Sequence, residues 1–188
     1  MRQMRYVVVL VAVVLRTMAC SGQTHRSDVL DDVVQYVPYA SVLALKACGA
    51  DSRDQWGPLL ATTAASWVVS ASATWTLKHT IHEWRPDSTD RHSFPSGHSA
   101  IAFAGATMLR HEYGHVSPWV TVAGYGVATF TAVDRVVRDR HHWYDAAAGA
   151  AIGVASAELS WWLSRKVFRN KDVQVAFTGN SIDLVIHL

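Results

Sequence analysis

Three short polar clusters in this chain contain the residue types that bind and attack phosphate. In order along the sequence they are Lys78 with Arg85-Pro86, then Pro95-Ser96-Gly97-His98, then Arg135 with His141 and Asp145. Guanidinium groups bind phosphate oxygens in bidentate fashion, and a lysine ammonium adds a point charge. The clusters are separated by hydrophobic runs. We therefore predict a single anion site assembled from the ends of several helices.

The second cluster is predicted to open a helix whose first turn faces the anion. Gly97 lets the backbone approach a ligand closely, and the free N–H groups of a first helical turn bind anions. Ser96 and Gly97 would therefore assist Lys78, Arg85 and Arg135 in neutralising a phosphate whose charge spreads over its equatorial oxygens.

The third cluster pairs an imidazole with a carboxylate at a helical spacing. If His141 and Asp145 lie on one helix, they share a face, and Asp145 accepts a hydrogen bond from one imidazole nitrogen. The other nitrogen is then free to attack phosphorus. His98, from a different loop, is placed to protonate the departing oxygen, a contribution of roughly 10²–10⁴-fold.

Five largely apolar stretches predict the helices that position these clusters. They cover residues 29–46, 59–77, 96–112, 118–133 and 145–163. If all five traverse one layer, the loops 78–95 and 134–144 emerge on the same side, so the clusters meet at one face. The predicted fold is all-α: a bundle of about five or six helices over residues 27–170, with the active site at one end.

Both ends of the chain differ from this helical region. Arg2 and Arg5 precede an apolar run, which predicts an export signal or N-terminal anchor over residues 1–20. Ala19-Cys20-Ser21 resembles a lipoprotein cleavage site, so lipidation of Cys20 and a plain signal peptide both stay open. Alternating apolar residues over 171–188 predict a short β-hairpin.

Composition favours a membrane setting and argues against nucleic acid. Half of the residues are hydrophobic, and only 17% are charged, against about a quarter in soluble proteins. The uncharged run 59–77 is long enough to span a bilayer, although a buried helix of a soluble bundle fits it too. The basic segment 165–171 would lie on the cytoplasmic side, which turns the clusters toward the periplasm. A net charge of +2 without a Lys/Arg run argues against a nucleic-acid-binding surface.

Together the clusters resemble the three-part motif of the type 2 phosphatidic acid phosphatase superfamily. Lys78 is followed by six residues and Arg85-Pro86, then comes Pro95-Ser96-Gly97-His98, and Arg135 is followed by five residues, His141, three residues and Asp145. This resemblance implies a helical core and a phosphatase that needs no metal or cofactor. It also implies that His141 is the nucleophile that forms a phosphohistidine, that His98 is the acid, and that Asp145 orients His141.

One position departs from the family pattern. The third motif usually begins Ser-Arg, and here it is Asp134-Arg135, so a carboxylate that can pair with Arg135 replaces a hydroxyl. We expect activity to survive this change.

The resemblance implies a lipid phosphomonoester or pyrophosphate substrate at a bacterial envelope. Candidates are phosphatidic acid, phosphatidylglycerophosphate, a polyprenyl pyrophosphate and a lipid A phosphate, or else a small phosphate ester. Two alternatives stay open: a vanadate-dependent haloperoxidase, and a non-catalytic membrane or phospholipid-binding protein.

Overall fold

The computed structural model describes residues 32–169 and the backbone of two strands that follow them. The predicted signal over residues 1–20, with Cys20, lies outside the described residues. After a short helical stretch at 32–34, five helices follow in order: α1 (Val37–Ala47), α2 (Trp56–Thr80), α3 (Gly97–Tyr113), α4 (Pro118–Val137) and α5 (Trp143–Arg169). The predicted helical fold is confirmed.

Local sequence explains where three of these helices begin and end. The hydroxyl of Ser96 caps α3 by accepting from the backbone N–H of Ser99. Pro118 occupies the first turn of α4, where its missing N–H costs nothing. The helix predicted over residues 145–163 is longer in the structure and covers Trp143–Arg169. Its polar last turn is compatible with a helix, but it lacks the apolar periodicity from which the prediction was made.

Helix α3 lies at the centre of the bundle and contacts the other four helices. Small side chains make this possible: Ala100, Ala102, Ala104 and Ala106 are fully buried. Helix α4 packs against α3 along its length and contacts α5 much less. The interface between α4 and α5 is therefore less extensive than those that α3 makes with its neighbours.

The two polar loops meet at one end of the bundle, as the count of traversing helices predicts. The backbone N–H of Asp87 donates to the carbonyl of Asp139 at 3.2 Å, and Arg140 forms an ion pair with the Asp87 carboxylate at 3.2 Å. All three clusters are thereby held at the same face.

Helix α2 contains the uncharged run and buries hydroxyl residues along one side, among them Thr62, Ser66, Ser70 and Thr74. Among the described residues, no helix combines the length and the apolar character that crossing a membrane requires. Beyond α5, strands β1 (Val173–Thr178) and β2 (Ser181–Ile186) pair antiparallel, with Val175 opposite Leu184.

Candidate active site

The three predicted phosphate-binding cations come from the ends of α2 and α4 and from the loop after α2. Lys78 lies in the last turn of α2, and its Nζ donates to the carbonyl of His92 at 2.6 Å. Burial, and then the charge of Arg85, lower the pKa of Lys78 to about 8. Nε of Arg85 donates to Asp90 at 3.0 Å, and Arg135 is 6% exposed at the end of α4.

The first turn of α3 lies directly beside these cations. A Cβ added at Gly97 would lie 3.9 Å from Cε of Lys78, so the lysine side chain passes over the start of the helix. Ser96 is fully buried, and its backbone N–H donates to the carbonyl of Asp145 at 3.0 Å. This bond ties the start of α3 to the start of α5, and so joins the second cluster to the third.

His141 lies under the cations and is nearly inaccessible, with its side chain 2% exposed. Burial, followed by the positive charges of Lys78, Arg85 and Arg135, lowers the pKa of His141 to about 3. The imidazole is therefore neutral near pH 7, and its nitrogen lone pair is available. Charged residues from all three clusters act on this one ring, so the structure brings the three clusters together.

His98 faces the same site from α3 and is 21% exposed. Burial lowers the pKa of His98, and the charge of Arg135 acts in the same direction. Nε2 of His98 lies 2.8 Å from the carboxylate of Asp32. Sequence analysis did not single out Asp32, because it is one of several acids in a polar segment that carries no motif, and it lies far from His98 along the chain.

The predicted hydrogen bond between His141 and Asp145 is wrong. Nδ1 of His141 lies 3.7 Å from Oδ2 of Asp145, which is beyond hydrogen-bond distance. The prediction assumed that both residues lie on a helix, whereas α5 begins only at Trp143. Asp145 is the third residue of that helix, and its Oδ2 accepts the backbone N–H of His142 at 2.9 Å, the carboxylate half of a capping box.

Two residues that sequence analysis gave no role contact Asp145. The hydroxyl of Ser93 donates to Oδ2 of Asp145 at 2.5 Å, and Nδ1 of His142 lies 3.3 Å from the same oxygen. If His142 lay on one helix with its neighbour His141, it would point away from the helix face that His141 and Asp145 share. It occupies the position just before α5 instead, and from there its ring reaches Asp145.

Glu83 completes this polar group at the surface of the site, where it accepts a hydrogen bond from the Tyr144 hydroxyl. In the part of the chain that the structure describes, Glu83, His142 and Asp145 are the three side chains whose ligand atoms lie close enough to hold a metal ion, within 4.8 Å of one another. Oδ2 of Asp145 accepts from the Ser93 hydroxyl and from the backbone N–H of His142, so this group already forms a hydrogen-bonded network.

Asp134, the departure from the family pattern, is half-buried on α4 one residue before Arg135. Its predicted effect on Arg135 stays a prediction. Taken together, the site offers a concentrated positive charge, a helix N-terminus and a neutral buried imidazole. That arrangement can bind a tetrahedral oxyanion and attack its central atom.

Comparison with known proteins agrees with this chemistry. The family model described as the PAP2 superfamily matches residues 55–169, which contain all three clusters. The chain belongs to the PAP2 superfamily. This confirms the resemblance to the type 2 phosphatidic acid phosphatases.

Two curated proteins and one solved structure are similar to this PAP2 chain. A lipid A 1-phosphatase of Porphyromonas gingivalis is 38% identical over 157 residues, which cover 83% of the chain and 35% of that protein. A probable lipid phosphate phosphatase beta of Arabidopsis thaliana is 32% identical over 94 residues, 37% of the chain and 44% of that protein. The chain therefore spans less than half the length of either relative.

The crystal structure of LpxE from Aquifex aeolicus superimposes with a TM-score of 0.56 at 19% identity, and covers 73% of the chain and 88% of that structure. At this identity the match supports the PAP2 helical fold and nothing finer.

Proposed function

We propose that the protein is a lipid phosphatase that hydrolyses a phosphomonoester or pyrophosphate through a phosphohistidine at His141. The observation that carries this proposal is the neutral, buried imidazole of His141 under the charges of Lys78, Arg85 and Arg135. The domain responsible would be residues 27–170, with Ser96 and Gly97 assisting the cations. The curated relative at 38% identity makes lipid A 1-phosphate the first substrate to test.

In the first step of the proposed reaction, Nε2 of His141 attacks phosphorus, because Nδ1 faces Asp145. A P–N bond forms, and the bond from phosphorus to the leaving oxygen breaks. His98 supplies the proton that the leaving oxygen needs. The negative charge of a bound phosphate opposes the effect of Arg135 and raises the pKa of His98, so the acid form is favoured when substrate is present.

In the second step, His98 accepts a proton from water, which attacks the phosphohistidine. The P–N bond breaks, inorganic phosphate leaves, and His141 returns to its neutral form. Asp145 acts as the carboxylate next to the Nδ1 side of His141 and stabilises the positive charge that forms on the ring.

Replacing His141 tests this assignment directly. We expect His141→Ala to lose at least about 1,000-fold in phosphate release from lipid A 1-phosphate and from p-nitrophenyl phosphate. The wild type should yield an acid-labile phosphoenzyme on rapid quenching, and the variant should not. His115→Ala is the matched control, since His115 is exposed at the opposite end of α3 and should leave both measurements unchanged.

The same assays separate the alternatives. Equal turnover in His141→Ala would reject the nucleophile, and phosphate binding without turnover in the wild type would favour a non-catalytic binding protein. Halide oxidation that depends on added vanadate would favour a haloperoxidase.

We also propose that the enzyme works at the bacterial membrane with its site facing the periplasm. The predicted signal over residues 1–20 and the basic segment 165–171 support this orientation. Cells with only the outer membrane permeabilised should hydrolyse an impermeant phosphomonoester, and a requirement for lysis of the inner membrane would contradict the orientation.

A further inference from the structure

A carboxylate from the stretch before α1 contacts His98 at the candidate active site. Asp32 opens the short helical stretch at 32–34, and its Oδ1 lies 2.8 Å from Nε2 of His98. The two residues are 66 positions apart along the chain, so folding is what brings them together. The reaction proposed above assigns the proton transfers to His98 and gives Asp32 no part.

This contact continues an interface that α1 forms with α3. Tyr39 of α1 packs so closely on α3 that a Cβ added at Gly105 would lie 2.9 Å from its ring. Further from the site, the hydroxyl of Tyr113 donates to the carbonyl of Val42 at 2.8 Å. The contacts follow one another in the same order along both segments. The packing of α1 therefore holds Asp32 beside the first turn of α3.

A buried side chain fixes the backbone of Asp32, while its carboxylate stays accessible. Nε2 of Gln35, a residue that is 6% exposed, donates to the backbone carbonyl of Asp32 at 2.9 Å. The side chain of Asp32 itself is 63% exposed. A substitution at this position therefore changes the carboxylate without opening the core.

The charges around His98 show what this carboxylate contributes. Burial, and then the charge of Arg135, lower the pKa of His98, and Lys78 acts in the same direction. The hydrogen bond to Asp32 and its negative charge oppose this shift. A carboxylate accepts hydrogen bonds and does not donate them, so Nε2 of His98 keeps its proton. Nδ1 is then the nitrogen that can exchange a proton with the substrate.

We propose that Asp32 is a positioning residue that holds His98 with Nδ1 toward the leaving oxygen and stabilises its imidazolium form. This inference rests on the proposed function and deepens it. In the first step, Nδ1–H gives its proton to the leaving oxygen as the P–O bond breaks, and His98 becomes neutral. In the second step, Nδ1 takes a proton from the attacking water as the P–N bond breaks, which restores the imidazolium. Asp32 accepts from Nε2–H throughout.

Dependence on the leaving group separates this role from a purely structural one. Phenyl phosphate and p-nitrophenyl phosphate are similar in shape, but nitrophenolate is the weaker base and needs less help from an acid. In the purified full-length protein, Asp32→Asn should lower kcat/KM about tenfold for phenyl phosphate and less than about threefold for p-nitrophenyl phosphate. The activity that remains toward p-nitrophenyl phosphate shows that the variant is folded.

Three further variants control this measurement. Asp32→Glu keeps a carboxylate at the exposed position and should restore most of the kcat/KM for phenyl phosphate. Asp51→Asn removes a carboxylate that is 87% exposed in the loop after α1, and should leave both substrates unaffected. Asp32→Asn added to His98→Ala should cause no further loss, because Asp32 acts through His98.

The outcomes distinguish this inference from the proposed function. Equal losses for the two substrates, no change for either, or a further loss in the His98→Ala background would overturn the inference and leave the phosphatase proposal intact. A gain of activity in Asp32→Asn would also overturn it, because Asp32 would then block the site. Absence of phosphate release from both esters in the wild type would reject the proposed function, and the inference with it.

Discussion

At the scale of single residues, the positive charge of the site depends on pH. Lys78 has a pKa lowered to about 8 by burial and by Arg85, so its ammonium form is lost at a pH where an exposed lysine would still be charged. Binding of a phosphate dianion favours the charged form of Lys78. Affinity for phosphate should therefore weaken as the pH rises above the pKa of Lys78.

This gives a prediction for a competitive inhibitor. The inhibition constant of a non-hydrolysable phosphonate, fully ionised over the whole range, should rise about tenfold between roughly pH 7.5 and 9.5. Lys78→Arg should remove most of this rise, because a guanidinium stays charged in that range. If the rise persisted unchanged in the arginine variant, a group other than Lys78 would be responsible.

Ser93 is predicted to position the Asp145 carboxylate without contacting the substrate. Its hydroxyl donates to Oδ2 of buried Asp145 at 2.5 Å. Removing it leaves that oxygen with fewer donors and loosens a carboxylate next to His141. We expect Ser93→Ala to lower kcat about tenfold with little change in KM, since no phosphate contact is lost.

The conservative variant Ser93→Thr retains the hydroxyl and should restore most of the lost kcat. The exposed Thr89→Ala, in the same loop, should have no such effect on kcat. A loss that appeared in KM alone, or the absence of rescue by threonine, would show that Ser93 acts in some other way.

At the scale of elements, the close approach of α3 and α5 holds the second and third polar clusters together. Gly149 of α5 lies so near α3 that an added Cβ would overlap the carbonyl oxygen of Ser96. Gly149→Ala should therefore push the helices apart, lower the free energy of unfolding by about 1–3 kcal/mol and reduce activity. Urea unfolding and phosphate release measure the two effects.

Gly126 provides the matched control on α4. A Cβ there would meet nothing within 4 Å, so Gly126→Ala should raise the free energy of unfolding by roughly 0.5–1 kcal/mol through its better helix propensity. Equal effects of the two substitutions would contradict the packing argument.

The elements also show how far the sequence predicts the site. Motif spacing and the number of traversing helices were enough to predict that Lys78, His98 and His141 lie at one face. Chain connectivity alone fixes the side of the bundle on which each loop emerges. The contacts of Asp145 were not predictable in this way. They depend on α5 starting at Trp143 and on Ser93 approaching across the fold, and neither feature has a local periodic signal.

At the scale of the whole molecule, the candidate site and a second polar cluster occupy opposite ends of α3. Glu112, at the far end, is fully buried and accepts the backbone N–H of Asp54 at 3.1 Å. The carbonyl of Glu112 also accepts from the N–H of Arg53 at 3.2 Å. Glu112 thereby joins α3 to the loop between α1 and α2, so its protonation affects the stability of the entire bundle.

Burial, and then the nearby charge of Asp54, raise the pKa of Glu112 from the usual 4.5 to about 7. Between these two values the folded protein holds a proton that the unfolded chain has released. The contribution of this group to the free energy of unfolding is therefore fully present below pH 4.5. It is lost as the pH rises through about 7. The loss is on the order of 3 kcal/mol.

Glu112→Gln removes this titration and keeps an oxygen that can accept from Asp54. The variant should match the wild type in the free energy of unfolding near pH 4 and exceed it near pH 8 by on the order of 3 kcal/mol. The half-exposed Glu158, paired with Arg110 at the surface, supplies the control, because Glu158→Gln should change stability by less than about 1 kcal/mol. A Glu112→Gln protein that was less stable than the wild type near pH 8 would mean that the charged carboxylate is a net stabilising group. In that case the positive charge of Arg165, which pairs with Asp54 at 2.8 Å, would stabilise the Glu112 carboxylate by more than burial destabilises it.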